Sequence, residues 1–181
     1  KLQAAISRHK GEGMSQGYFA ETSTGGYYEQ VTAGVWKAYD EILKREKALD
    51  FDDLLLKTVF MLREHGSVRM FYHNRWRYIH IDEYQDTNAV QYELAELLAA
   101  GHRNIYAVGD EDQLIYEWRG AHIRHILSFE HDYPEADIVF LEQNYRSTRS
   151  ILAAANSVIR KNTLRKDKKL FTENAPGEKL S

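Results

Sequence analysis

Strands that alternate with helices over residues 77–159 predict an α/β chain, a parallel sheet flanked by helices, preceded by an N-terminal helical lobe. Three observations carry this. Short apolar runs at 77–81, 104–108 and 137–141 each end on polar residues. The stretches between them place apolar residues at helical spacing. The first 65 residues contain no comparable run and, outside one Gly-rich stretch, read as helical.

Residues 11–26 hold five of the eleven glycines and four Ser/Thr residues, which predicts a loop or a partly mobile segment. From about Val31 a helical face runs through Val31, Val35, Tyr39 and Leu43. A second helix is expected from Asp52 to Arg63, with Leu55, Val59 and Leu62 on one side. Arg77–Ile81 is the first strand. Asp86 is placed to cap a helix whose core face is Val90, Leu94, Leu97 and Leu98. Asn104–Val108 is the second strand, ending at Gly109 and Asp110. A helix from about Ala121 to Phe129 precedes Pro134 and a third strand, Asp137–Leu141. Ser147 then caps a helix carrying Ile151, Leu152, Ala155, Val158 and Ile159.

Composition bounds the function. The 181 residues are 43% hydrophobic and 28% charged, as in an ordinary globular protein. No stretch approaches the ~20 apolar residues of a membrane span, and no signal pattern opens the chain. With no Cys there is no disulfide, thiolate metal site or cysteine nucleophile, which suits a cytoplasmic protein. The net charge of −3 argues against a nucleic-acid binder, but its distribution does not. Residues 141–181 carry nine Lys/Arg against four acids, a local +5, leaving −8 on residues 1–140. Such asymmetry permits a polyanion at one end, although from charge alone a solvated basic helix end is the simpler explanation.

Three clusters carry chemistry, each at the end of an expected strand. In YIHIDEYQDTN (78–88) the apolar run ends on Asp82 and Glu83. Ligands of an open parallel sheet sit beyond the carboxyl ends of its strands. There, one acid can hold Mg²⁺ and its neighbour can orient or deprotonate a water. VGDEDQLIYEWRGA (108–121) brings Asp110, Asp112 and Gln113 to the next strand end, followed by Tyr116, Trp118 and Arg119. Aromatics beside an Arg are the stacking-plus-charge combination that single-stranded nucleic acid requires. In LEQNYRST (141–148), Tyr145 can stack on a base and Arg146 can neutralise charge on a transferred phosphoryl group. Taken singly, each cluster has a plain structural explanation: solvated acids, core aromatics, a capped loop with a surface Arg.

Together and in this order, with LDFDDLL (49–55) and HILSFE (125–130), these stretches resemble the UvrD/Rep family of superfamily 1 DNA helicases. The likeness runs from about Ile6 to the end. It implies part of a RecA-like, P-loop NTPase sheet and an ATP-dependent motor that unwinds DNA, with ATP and Mg²⁺ as its ligands. Asp82 would hold the metal, Glu83 would be the catalytic base, and Gln113 would sense the γ-phosphate. Tyr145 would stack on adenine, and Arg146 would reach the γ-phosphate from a second RecA-like domain. Tyr116, Trp118 and Arg119 would contact single-stranded DNA, with duplex/single-strand junctions as the wider substrate. By the same resemblance, residues 1–48 form a helical insertion in the first RecA-like domain, 49–140 its C-terminal part, and 141–181 the start of the second.

Two departures bear on activity. Leu114 stands where the family usually has Ser. No Gly is followed by Lys, so the Gly-Lys-Ser/Thr loop that cradles phosphates is not among these residues. The family carries that loop upstream of the Asp-Glu strand, so the expectation is an internal segment of a longer helicase. Alone, that segment should be inactive, bind ATP and Mg²⁺ only weakly, and associate with itself through uncovered apolar strands. Two other functions fit parts of the pattern. One is a non-catalytic single-stranded DNA-binding module. The other is a Mg²⁺-dependent hydrolase using Asp82, Glu83, Asp110 and Asp112 as a metal cluster.

Overall fold

The computed structural model describes residues 1–115, 123–162 and 168–179, which carry eight α-helices and one two-stranded parallel sheet. Two compact units divide the chain, Lys1–Ser128 and Phe129–Ser181.

The first unit opens with α1 (Leu2–Gly11), α2 (Gln16–Thr22), α3 (Tyr27–Arg45), α4 (Phe51–Glu64) and α5 (Gly66–Arg75). The Gly-rich stretch expected to be a loop thus contains a short helix. Ser15 makes it possible by accepting the Tyr18 backbone N–H at 3.2 Å, a side-chain N-cap that offsets the poor helix propensity around it. Phe19 of α2 then packs with Ile6 of α1 and Trp36 of α3 as one buried cluster. That cluster also corrects the face of α3. Thr32 and Trp36 are buried and Val35 is exposed, so the face through Val31, Val35, Tyr39 and Leu43 is not the core face. Burying the indole outweighs burying a valine, and the Thr32 hydroxyl satisfies itself on the Tyr28 carbonyl at 2.8 Å.

Helix α4 begins where Asp50 accepts the Asp53 N–H at 2.7 Å, and buries Asp53, Leu56, Val59 and Leu62 along one face. Leu55, expected beside Val59 and Leu62, is half-buried against the same cluster. A lysine binds α1 to this helix start. Lys10 is 2% exposed, and its ammonium donates to Asp50 Oδ2 at 2.8 Å and Asp53 Oδ1 at 3.0 Å. Burial alone would lower the Lys10 pKa, but hydrogen bonds to the two carboxylates outweigh it and raise it. For Asp50, burial pushes the pKa up, and the Lys10 hydrogen bond leads the effects that bring it below its ordinary value.

After α5, strand β1 (Ile79–Ile81), helix α6 (Ala89–Ala99) and strand β2 (Ile105–Ala107) form a βαβ unit. The strands pair in parallel with Ile79 opposite Ile105 and Ile81 opposite Ala107, as two of the three expected strands required. Helix α6 starts two residues later than Asp86 would set it. Asn88 is the cap: its side chain accepts the Gln91 N–H while the Gln91 side chain accepts the Asn88 N–H, a reciprocal box. Val90 of α6 joins Leu56 and Val59 of α4 in the second core cluster, against which Leu94 and Leu97 pack. His73 of α5 donates to the Leu97 carbonyl at 2.7 Å, and His102 donates to the Trp76 carbonyl at 2.7 Å. Helix α7 (Ile123–Asp132) begins in this unit and runs past its last residue, Ser128.

In the second unit, Asp137–Leu141 is not a strand. A strand exists only through its ladder, and this apolar run has no partner among the described residues; Val139 is 76% exposed. Pairing begins two residues later, where Gln143 and Phe171 form a lone parallel bridge. Helix α8 (Arg149–Ile159) follows, with Thr148 at its N-cap position and no side-chain cap bond. Ser147 lies one residue before that position, in a turn where Asn144 Oδ1 accepts its N–H at 2.8 Å. Of the expected core positions on α8, Leu152 is buried, while Ile151 and Val158 are exposed.

Candidate functional site

The polar cluster after β1 is shaped by the sheet. The Val108 N–H donates to the Ile81 carbonyl at 2.8 Å and the Tyr84 N–H donates to the Val108 carbonyl at 2.9 Å, so the two strand ends stay in register past the last paired residue. Between those bonds the chain turns sharply. Glu83 adopts a left-handed conformation, φ 49° and ψ 45°, which costs a non-Gly residue ~1–2 kcal/mol. The Asp82 carboxylate accepts the Glu83 N–H at 2.9 Å through Oδ1 and steadies the turn. Both acids are exposed at the carboxyl end of β1, whereas Tyr84 and Gln85, in the 3₁₀ turn Tyr84–Asp86, are buried.

Gln85 joins the two strand ends. Its amide nitrogen donates to Glu83 Oε2 at 2.7 Å, and its amide oxygen accepts the Asp110 N–H at 3.0 Å. Asp110 in turn accepts the Gln113 side-chain amide at 2.7 Å through Oδ2 and the Asp112 N–H at 3.0 Å through Oδ1. The second contact caps the 3₁₀ turn Glu111–Gln113. Gly109 leaves room for the Gln85 contact: a Cβ there would lie 2.9 Å from the Gln85 amide oxygen and 2.9 Å from the Ile126 Cδ1, so those side chains would have to shift. Glu83 and Gln113 are therefore brought into one bonded series running Glu83, Gln85, Asp110, Gln113.

The cluster of four acids is not assembled as a metal centre. Among the described residues no three His, Asp or Glu side chains are grouped to hold an ion. Asp110 is turned into its own turn and Glu83 toward Gln85. A single carboxylate fits Mg²⁺ differently: the ion commonly takes one or two protein carboxylates and fills its octahedron with water and phosphate oxygens. Asp82 meets that description, since it is exposed and one oxygen already anchors the turn.

Tyr145 and Arg146 lie in the second unit, on a loop braced by 168–175. The Asn144 N–H donates to the Phe171 carbonyl at 2.7 Å, and the Asn174 side chain donates to the Tyr145 and Ser147 carbonyls. The Tyr145 hydroxyl donates to Gln143 at 3.0 Å, which holds an otherwise exposed ring upright. The Arg146 N–H is held by Asn144 Oδ1 at 3.1 Å, and its side chain is exposed. Tyr116, Trp118 and Arg119 lie outside the described residues. What sequence reasoning missed is the work of Gln85 and Lys10. Lys and Gln ordinarily lie at surfaces, and only the packing of neighbouring elements buries these two.

The UvrD/REP helicase N-terminal domain matches residues 1–134, and the UvrD-like helicase C-terminal domain matches residues 139–181. Over 176 residues, 97% of the chain, the sequence is 51% identical to the ATP-dependent DNA helicase PcrA of Staphylococcus aureus. It is 49% identical over the same length to the protein of that name from Staphylococcus epidermidis. The chain spans 24% of the length of each of these relatives.

Proposed function

Because the chain belongs to the UvrD/REP helicase family, we propose that it supplies the hydrolytic part of an ATP-dependent motor that translocates on single-stranded DNA and unwinds duplex at junctions. The observation that carries this reading is the bonded series from Glu83 to Gln113 across the ends of two adjacent parallel strands. A base and a phosphate-sensing amide must act on the same phosphoryl group, and this series fixes their separation.

In the proposed mechanism, Asp82 would hold Mg²⁺, which would supply positive charge to offset the negative charge that develops during phosphoryl transfer. Glu83 takes the proton of the attacking water, and its strained backbone presents the carboxylate beyond the strand end. Gln113 contacts the γ-phosphate by its amide. The Gln113 amide is held on Asp110, so a change in phosphate occupancy is transmitted to the chain that follows. Tyr116, Trp118 and Arg119, the next residues, take the role of stacking on and neutralising single-stranded DNA. Tyr145 stacks on adenine, and Arg146 stabilises charge in the transition state. Residues 1–48 act as a helical insertion on the DNA side, 49–140 as part of the first RecA-like domain, and 141–181 as the start of the second. The family boundary between 134 and 139 supports the last division approximately.

The 181 residues alone contain no Gly-Lys-Ser/Thr loop to grip the β-phosphate, so by themselves they should not turn over ATP. Exposed Ile138–Leu141 supports self-association of this chain, which light scattering would register as concentration-dependent mass. The test of function is steady-state ATPase with and without single-stranded DNA. The full-length protein should be DNA-stimulated and lose that stimulation in Trp118→Ala, while the isolated chain should show no turnover. DNA-stimulated hydrolysis by the isolated chain would overturn the reading.

A further inference from the structure

We infer that Gln85 is a positioning residue that sets the catalytic carboxylate of Glu83 and links its placement to the γ-phosphate-sensing turn at Asp110–Gln113; this rests on the hydrolytic reading above. Gln85 is 1% exposed. A polar side chain so deeply buried must have both ends of its amide satisfied, and its two partners allow one orientation only. Glu83 presents an acceptor and the Asp110 backbone presents a donor, at 2.7 and 3.0 Å. Reversing the amide would set oxygen against carboxylate and N–H against N–H. The side chain therefore cannot flip to a second bonded arrangement. The contact with Glu83 is charge-assisted, the stronger class of hydrogen bond, and fixes one carboxylate oxygen while the other stays available.

The surroundings leave the amide no room to drift. The Gly109 Cα passes so close that a methyl group would meet the Gln85 amide oxygen. Buried Tyr84 flanks it, and the Thr87 hydroxyl donates to the Tyr84 carbonyl at 2.8 Å to close the turn. Asp110 then carries the connection onward, because the residue whose N–H binds Gln85 also holds the Gln113 amide. A shift of Gln113 against a phosphate would thus be felt at Glu83 through two hydrogen-bonded side chains.

The variant Gln85→Glu separates positioning from packing. It keeps shape and keeps an acceptor for the Asp110 N–H, but sets a second carboxylate against Glu83, where the two repel or share a proton. In the full-length protein, shown to be folded by circular dichroism, we expect kcat for DNA-stimulated hydrolysis to fall at least about tenfold, with the KM for ATP near wild type and the acid limb of the pH profile moved upward. Unchanged kcat in an otherwise active, folded protein would overturn the role of Gln85 alone. A wild-type protein with no ATPase would overturn the hydrolytic reading and this role with it. A second arm avoids any burden on folding, because Glu83 is exposed. In the 181-residue chain, the NMR signal of the Gln85 side-chain amide should shift on Glu83→Ala. An unmoved signal would show that the two side chains are not bonded, and would overturn the inference.

Discussion

At the scale of single residues, polar side chains do the deciding. Lys10 and Gln85 are both nearly inaccessible, yet one ties helices and the other ties strand ends. Neither role is legible in the sequence, since Lys and Gln mostly lie at surfaces and nothing local marks these two as exceptions. Asp82 and Glu83 were legible, because an apolar run ending on acids needs no tertiary information. Replacing Lys10 by Met keeps volume but leaves two carboxylates facing each other in a dry site. The expected loss is ~3 kcal/mol, read as a lower midpoint in urea. The pH dependence has a definite sign. The Asp50 carboxyl titrates below its ordinary 3.8 when folded, so its contribution is present above pH 3.8 and is lost as pH falls through the folded value. The stability gap between wild type and Asp50→Asn should therefore narrow on acidification below 3.8. Lys10 behaves oppositely: its pKa is raised above 10.5, so its contribution holds below 10.5 and is lost only as pH climbs past the folded value.

At the scale of elements, the sequence revealed which segments are helix or strand more readily than which face they bury. Strands β1 and β2 were evident from β-branched runs bounded by polar residues. The face of α3 was not, because periodicity weighs Val31, Val35 and Leu43 equally and cannot know that Phe19 and Ile6 await Trp36. Asp137–Leu141 has the composition of a strand, but a strand also needs a neighbour, and composition is silent on that. Cap choice failed for a related reason. Asp86, Thr87 and Asn88 are all acceptable caps, and the 3₁₀ turn at Tyr84–Asp86 uses up the first of them. With Asn88 as one arm of a capping box, Asn88→Ala should cost ~1 kcal/mol and lower the melting temperature by ~2–4 °C. Gln91→Ala combined with it should cost less than the sum of the two separate changes, because each side chain serves the other's backbone.

At the scale of the whole molecule, the chain brings acids and amides together at the ends of two adjacent parallel strands. Among the described residues no helix is long and apolar enough to cross a membrane, and the charge of −3 conceals a basic C-terminal stretch. The family was legible because its motifs fall in order along the chain, the first two at the ends of β1 and β2. The bonded series between them was not, because hydrogen bonds between residues 25 apart are written only in the fold. We propose that the carboxylate held by Gln85 is the base for hydrolysis. It is tested most directly by measuring DNA-stimulated ATP hydrolysis and ATP binding side by side in the full-length Glu83→Gln protein. Loss of the base should lower kcat by about 10²–10⁴-fold with nucleotide still bound. Hydrolysis within about threefold of wild type would show that Glu83 is not the base, and would contradict the account at its centre.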